Sequence, residues 1–207
     1  MEAIRPPTIF FLSPARTDGL RTTMLVRPQA SFELAMQLRT PKGAAIADVF
    51  SFLSGLYFRG KIAYARTFGQ HAYVITSNCG LMAIDEHVTA DDLIAMRQVP
   101  IDIDEPRYRK PIERDLRRIR RTNHCDETCR FVLLGSIATK KYVDVFLPLL
   151  GDRLLFPGDF VGRGDMSRGG LMLRAAREGR ELSYIPINGA TRHGARPPRL
   201  AKLPRSR

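Results

Sequence analysis

No apolar run in this 207-residue chain approaches the roughly 20 residues that a membrane-crossing helix needs. Its amino terminus also lacks the basic stretch, apolar core and small-residue cleavage site of a secretory signal. A soluble, cytoplasmic protein with no membrane partner is therefore the expectation. Cysteine is scarce, with three residues, and an odd number argues against a disulfide framework. Cys79, Cys125 and Cys129 instead fit a reducing compartment. His124 stands beside Cys125, but a Cys-x3-Cys spacing without a second pair is a poor zinc signature, so neither a metal nor a cofactor is expected. No internal repeat is found, and a monomer is expected.

Negative charge is also in short supply, 21 Asp and Glu against 33 Lys and Arg, for a net +12. The excess is uneven. Arg107, Arg109, Lys110, Arg114, Arg117, Arg118, Arg120 and Arg121 crowd one segment, and a second series runs from Arg163 to Arg207. Such clustering is the footprint of a nucleic-acid binder, because neutralising phosphates releases counterions. A solvated basic face is the plainer reading. The hydrophobic fraction of 44% is what a packed core requires, and the length suits one α/β domain with a tail.

The most informative stretch runs from Arg130 to Arg174. Apolar runs at Phe131–Leu134 and Arg153–Phe156 flank a Lys-bearing amphipathic segment, and a Gly/Arg-rich loop follows that opens a helix near Ser167. The pattern predicts strand, helix, strand, loop, helix. In open α/β sheets ligands sit outside the carboxyl ends of the strands, which points to Gly135-Ser136 and to Pro157–Gly170. That loop reads either as a phosphate site, with backbone N–H groups and cations, or as an ordinary basic surface loop.

Thr8–Leu12 is a continuous apolar run and predicts a buried central strand, with Ser13–Gly19 as the loop at its carboxyl end. Ala72–Thr76 predicts another strand, followed at once by Ser77-Asn78-Cys79-Gly80-Leu81, and Leu182–Ile187 a last one. Helices are expected from a Ser31 cap through Leu38, over the Ile46–Leu53 spacing, from Ser54 to Phe68, from a Thr89 cap to Met96, and from Ser167 to Glu178. Tyr108–Arg121 predicts a strongly basic surface helix with Ile112, Leu116 and Ile119 as a narrow apolar stripe. Beyond Asn188 the composition turns to Gly, Pro and Arg, which predicts a tail disordered until it meets a partner. The expected organisation is one domain over 1–187 and a basic tail over 188–207.

Four loops thus converge on one sheet edge: Leu12–Gly19, Thr76–Leu81, Gly135–Lys141 and Pro157–Gly170. TIFFLSPARTDG, AYVITSNCGL and RFVLLGSIATKKY in this order resemble the strands and catalytic loops of the uracil-DNA glycosylase superfamily. LYFRGKIAYARTFG through YVITSNCGLM also looks like small uncharacterised bacterial proteins, and the SPART opening is similar to the peroxide-stress DNA-binding family. The resemblance implies a three-layer α/β/α sandwich with a central, mostly parallel sheet, and a DNA glycosylase that leaves an abasic site. The superfamily's first motif is absent, and Phe160–Ser167 replaces its His-Pro-Ser type motif. With no histidine to stabilise the leaving base, the resemblance points away from uracil and toward another modified or damaged base, such as the hypermodified cytosines of phage DNA removed in antiviral defence.

Breaking a base–sugar bond develops positive charge on the sugar and negative charge on the base, so such a site needs a carboxylate or activated water and a set of donors. It must also extrude the nucleotide, commonly with a wedge side chain. Asp18 is the first candidate carboxylate, with an Asp-Gly turn as its plain alternative, and Asp165 is the second, with helix capping as its alternative. Asn78 is the candidate base-edge reader, since an amide donates and accepts, or else a turn asparagine. Candidate DNA contacts are Ser13, Arg16, Ser136, Lys140, Arg163, Ser167 and Arg168, with Met166 or Phe160 as the wedge. Lys140 or Lys141 would act as a Schiff-base nucleophile only if burial lowered its pKa. A non-catalytic DNA-binding protein of the peroxide-stress type is the alternative to an enzyme, and an RNA-binding protein is a third reading.

Overall fold

The computed structural model describes residues 6–122, 127–198 and 200. In chain order the first elements are β1 (Thr8–Leu12), α1 (Leu20–Val26), α2 (Glu33–Leu38), β2 (Ala44–Ala45), α3 (Ile46–Ser54), α4 (Leu56–Phe68), β3 (His71–Ile75), β4 (Leu81–Ala83) and β5 (His87–Val88). The remainder are α5 (Ala90–Arg97), α6 (Pro106–Thr122), β6 (Arg130–Leu134), α7 (Lys140–Leu150), β7 (Leu154–Pro157), α8 (Asp165–Glu178) and β8 (Tyr184–Pro186). No helix among the described residues is long and apolar enough to cross a membrane.

The apolar runs become the centre of a six-stranded sheet in the order β4-β3-β1-β6-β7-β8. Strands β3, β1, β6 and β7 are parallel, and β4 and β8 close the two edges antiparallel. All five residues of β1 are buried, as a continuous apolar strand covered on both faces must be. Successive side chains of a strand point to opposite faces. Phe10 meets Tyr64 of α4 edge-on at 5.6 Å, while Phe11 meets Phe146 of α7 at 4.9 Å. Helices α4 and α8 therefore pack together on one face and α6 and α7 on the other, giving a three-layer α/β arrangement. The four parallel strands place their carboxyl ends, and the four expected loops, on one edge.

Several local expectations need correction. Helix α1 has no counterpart among the expected elements, because only Thr22 and Leu25 of its seven residues are buried and no apolar period marks it. Phe32, not Ser31, occupies the N-cap of α2, with no side-chain cap. Helix α8 starts at Asp165 behind Gly164, so Ser167 lies inside it and caps nothing. Helix α6 is half sunk rather than superficial: Tyr108 and Asp115 are buried along with Ile112, Leu116 and Ile119. The Asp115 carboxylate accepts the Leu81 backbone N–H at 3.0 Å, tying α6 to the turn after β3. Gly80, with φ +81°, lets that carboxylate approach where any Cβ would collide.

Helices α4 and α8 cross at Gly60 and Gly169. A Cβ on Gly60 would stand 2.6 Å from the Gly169 carbonyl oxygen, and one on Gly169 would stand 2.8 Å from the Leu56 oxygen. Only hydrogen on both sides permits this approach, which brings Tyr57 and Lys61 of α4 up to the first turn of α8. The described residues beyond Asn188 form no regular element, yet they lie along the loop after β7. Arg163 donates from Nη1 to the Pro198 carbonyl at 3.3 Å, and Gly162, with φ +72°, packs against the Ala195 carbonyl.

Candidate active site

Strand β1 is joined through α1–α4 to β3 on one side, while β6 lies on its other side and leads on to β7. The direction of winding reverses between β1 and β6, and a crevice opens at such a point outside the carboxyl ends. Ser13, the first residue past β1, bridges it: its N–H donates to the Leu134 carbonyl of β6 at 3.2 Å. Gly135 is needed opposite, since a Cβ there would stand 2.9 Å from the Ser13 Cβ.

Beneath Ser13 lies Lys61, 1% exposed. Its Nζ is 2.8 Å from the Ser13 carbonyl oxygen and 2.7 Å from the Ser13 Oγ, and 3.9 Å from the centre of the Tyr57 ring. Burial pushes the Lys61 amine down to about 7; Asp165 opposes that shift and Arg168 adds to it. The Tyr57 hydroxyl is buried, and burial pushes it up to about 12 against the opposing effect of Arg168 and Ser13. Burial raises Tyr142 as well, with the neighbouring Tyr57 and Asp165 adding to the effect.

Above this floor is a pocket of about 340 Å³, walled by Ser13, Arg16, Tyr57, Ser136, Tyr142 and Asp165. A crevice of about 450 Å³ adjoins it across Pro14, Ala15, Arg16 and Tyr142, and reaches Asp18, Ser77 and Lys141. Both volumes fall within the roughly 300–1,000 Å³ typical of small-molecule sites. With Ser54 also on its wall, the pocket combines two tyrosines, three serines, one carboxylate and one guanidinium.

The expected site residues divide. Ser13, Arg16, Ser136 and Asp165 come together in the pocket. Asp18 does not: it is exposed in the adjoining crevice, its carboxylate 3.0 Å from Arg16, which holds it below its ordinary pKa. Asn78 lies outside both cavities, in a turn closed by the Thr76 hydroxyl on the Gly80 carbonyl at 2.8 Å, and its Oδ1 accepts the Cys79 thiol at 3.2 Å. The turn reading prevails there, because the chain must reverse into antiparallel β4. Lys140 is exposed at the start of α7 and lines neither cavity, and Lys141 is exposed on the rim of the crevice. The burial that a reactive lysine requires is met by Lys61 instead.

Arg163, Met166 and Ser167 line a separate groove of about 360 Å³ with Arg174 and Arg196. Met166 is exposed there, whereas Phe160 is 1% exposed and has no wedge to offer. Arg168 is not a free phosphate ligand: it is mostly buried, donates to the Phe160 carbonyl at 3.2 Å and lies 3.7 Å from Asp165. Cys79 is exposed and Cys129 buried, and no cluster of potential metal ligands occurs among the described residues. His124 and Cys125 lie outside those residues.

Lys61, Tyr57 and Asp115 are absent from the residues that sequence reasoning singles out. A signal for the first two is present, since Tyr57, Lys61, Tyr64 and Ala65 share a helical face, and a lysine on an apolar face is anomalous. Compared with family models, with curated proteins and with solved structures, the chain finds no match. Its fold and site therefore rest on their own geometry.

Proposed function

We propose that the protein is a DNA glycosylase that draws a modified base into the pocket between β1 and β6 and cleaves its bond to the sugar. The observation that carries this reading is the pocket itself, in which Tyr57, Tyr142, Ser13, Ser136 and Asp165 line one volume of about 340 Å³. Aromatic walls stack a flipped base, and the hydroxyls meet its polar edge. Asp165, rather than Asp18, supplies the negative charge that stabilises the cationic sugar. Bases carrying extra groups fit a pocket that continues into a second crevice better than one closed tightly round a pyrimidine.

The test is to incubate the protein with DNAs carrying different base modifications, hydroxymethylated and glucosylated phage DNA included, and to identify released bases by mass spectrometry. Release with abasic sites is expected, reduced by about a hundredfold or more in Asp165→Asn. If no base is released from any of these DNAs, the enzyme reading falls. A second reading, a non-catalytic DNA-binding protein, is favoured by the arginine-lined groove, which is distinct from the pocket. It expects duplex binding that is unchanged in Ser13→Ala and Asp165→Asn, with no base release.

A further inference from the structure

Among the described residues Lys61 is the one buried lysine, and both of its hydrogen-bond partners there belong to Ser13. An ammonium offers three protons and no acceptor, so on these partners it would leave one proton over the Tyr57 ring. As a neutral amine it would keep one proton on the Ser13 carbonyl and one over the ring, and in place of its donation to the Ser13 hydroxyl at 2.7 Å its lone pair would accept from that hydroxyl. The Leu134 carbonyl, which also accepts from that hydroxyl, is at 3.4 Å, a much poorer bond. Ser13 lines the pocket, and Lys61, behind it, does not.

We propose that Ser13 and Lys61 form a proton relay in which Lys61 takes the proton of Ser13 while Ser13 Oγ deprotonates the attacking water. This rests on the glycosylase reading for its substrate. The water's proton passes to Ser13 Oγ as the serine's own proton passes to Lys61 Nζ. The water oxygen bonds to the sugar C1′, the C1′–N bond breaks, and its electron pair leaves with the base, which takes a proton from solvent. Ser13 touches the reacting water; Lys61 acts through it and is a positioning residue.

The surroundings favour the cation that this step creates. The new ammonium lies 3.9 Å from the Tyr57 ring centre, a cation–π contact in a dry site, and Asp165 from α8 favours the charged form. Arg168 on the same helix opposes it, Arg16 faces the pocket from the loop after β1, and Tyr142 faces it from α7. Burial holds the amine at about 7, where a base is half free near neutral pH. Relays between serine and lysine also serve covalent catalysis on other folds.

Phenylmethylsulfonyl fluoride tests the relay without any DNA. Its sulfur forms a bond to Ser13 Oγ, the S–F bond breaks, fluoride leaves, and the serine proton goes to Lys61. Modification of Ser13, located by peptide mass spectrometry, is expected to rise with pH and level off above about 8, half-maximal near the Lys61 pKa of about 7. Lys61→Met should slow it by about a hundredfold. Should that variant fail to fold, the wild-type pH profile still decides, with Ser13→Ala as the unlabelled control. No labelling of Ser13, or a rate that climbs with hydroxide and shows no inflection near 7, overturns the relay. Base release without activated Ser13 would defeat the relay and keep the glycosylase. Activated Ser13 with no base release would sustain the pair and remove its assigned substrate.

Discussion

A buried amine costs stability to the extent that folding lowers its proton affinity. The Lys61 amine falls from 10.5 to about 7. Between those values the unfolded chain binds the proton and the folded one does not, so this contribution to stability rises with pH through that window; below about 7 both states are protonated and the penalty is constant. Buried tyrosines act in the opposite sense at higher pH, since Tyr57 and Tyr64 are pushed up to about 12 and keep protons that the unfolded chain loses above about 10. Urea unfolding at pH 7.0, 7.8 and 8.5 should therefore show stability increasing with pH, and Lys61→Met should flatten the trend. A variant that kept the full slope would show that Lys61 titrates normally in the folded protein. Residue type alone does not reveal Lys61, because lysine is almost always solvated and the sequence does not show what covers it.

The helix pair α4 and α8 shapes the site at the next scale. Their backbones touch at Gly60 and Gly169, which sets Asp165 and Arg168 beside Lys61 and Tyr57. Gly169→Val would force the helices apart and should cost about 1–3 kcal/mol, read as a lower urea midpoint with little change in slope. It should also slow sulfonylation of Ser13 by displacing the groups round the amine. An unchanged midpoint would mean that the helices can separate freely. Strands are easier to read than helices here. β1 and β6 are buried on both faces and carry unbroken apolar runs, whereas α1 buries two residues and leaves no period. Asp115 sits on α6 for the sake of the Leu81 N–H, 34 positions away, a partnership that no local pattern announces.

The whole molecule carries +12, and an arginine-lined groove lies apart from the pocket. Arg196 is exposed in it, and the Arg174 Nε is buried with no hydrogen-bond partner among the described residues. If the protein binds DNA as proposed, each neutralised phosphate releases counterions, and affinity for unmodified duplex DNA should fall steeply with salt. Replacing Arg174 and Arg196 together by alanine should weaken binding alike on all sequences and lower the log–log salt slope by about 1.8, roughly 0.9 for each phosphate that is no longer neutralised. Titrations between about 50 and 200 mM salt check this, and an unchanged slope would exclude the groove as the DNA path. Ser13 labelling should not change.

The order of apolar runs alone determined the α/β class, the buried central strands and the edge on which the loops meet, because a strand buried on both faces needs continuous apolar residues and parallel strands bring their carboxyl ends together. Of the loop residues put forward under the glycosylase resemblance, Ser13, Arg16, Ser136 and Asp165 line the pocket. Tertiary structure decided which of the remaining candidates belong. It left Asp18 in an exposed ion pair and Asn78 in a turn, and it set Lys61 behind Ser13. Those outcomes depend on burial and on interactions between residues far apart in the chain. Asp18 and Asn78 are short polar residues that local bonds satisfy at the surface. A lysine changes its chemistry only when other elements close over it, as α8 does across Gly60 and Gly169.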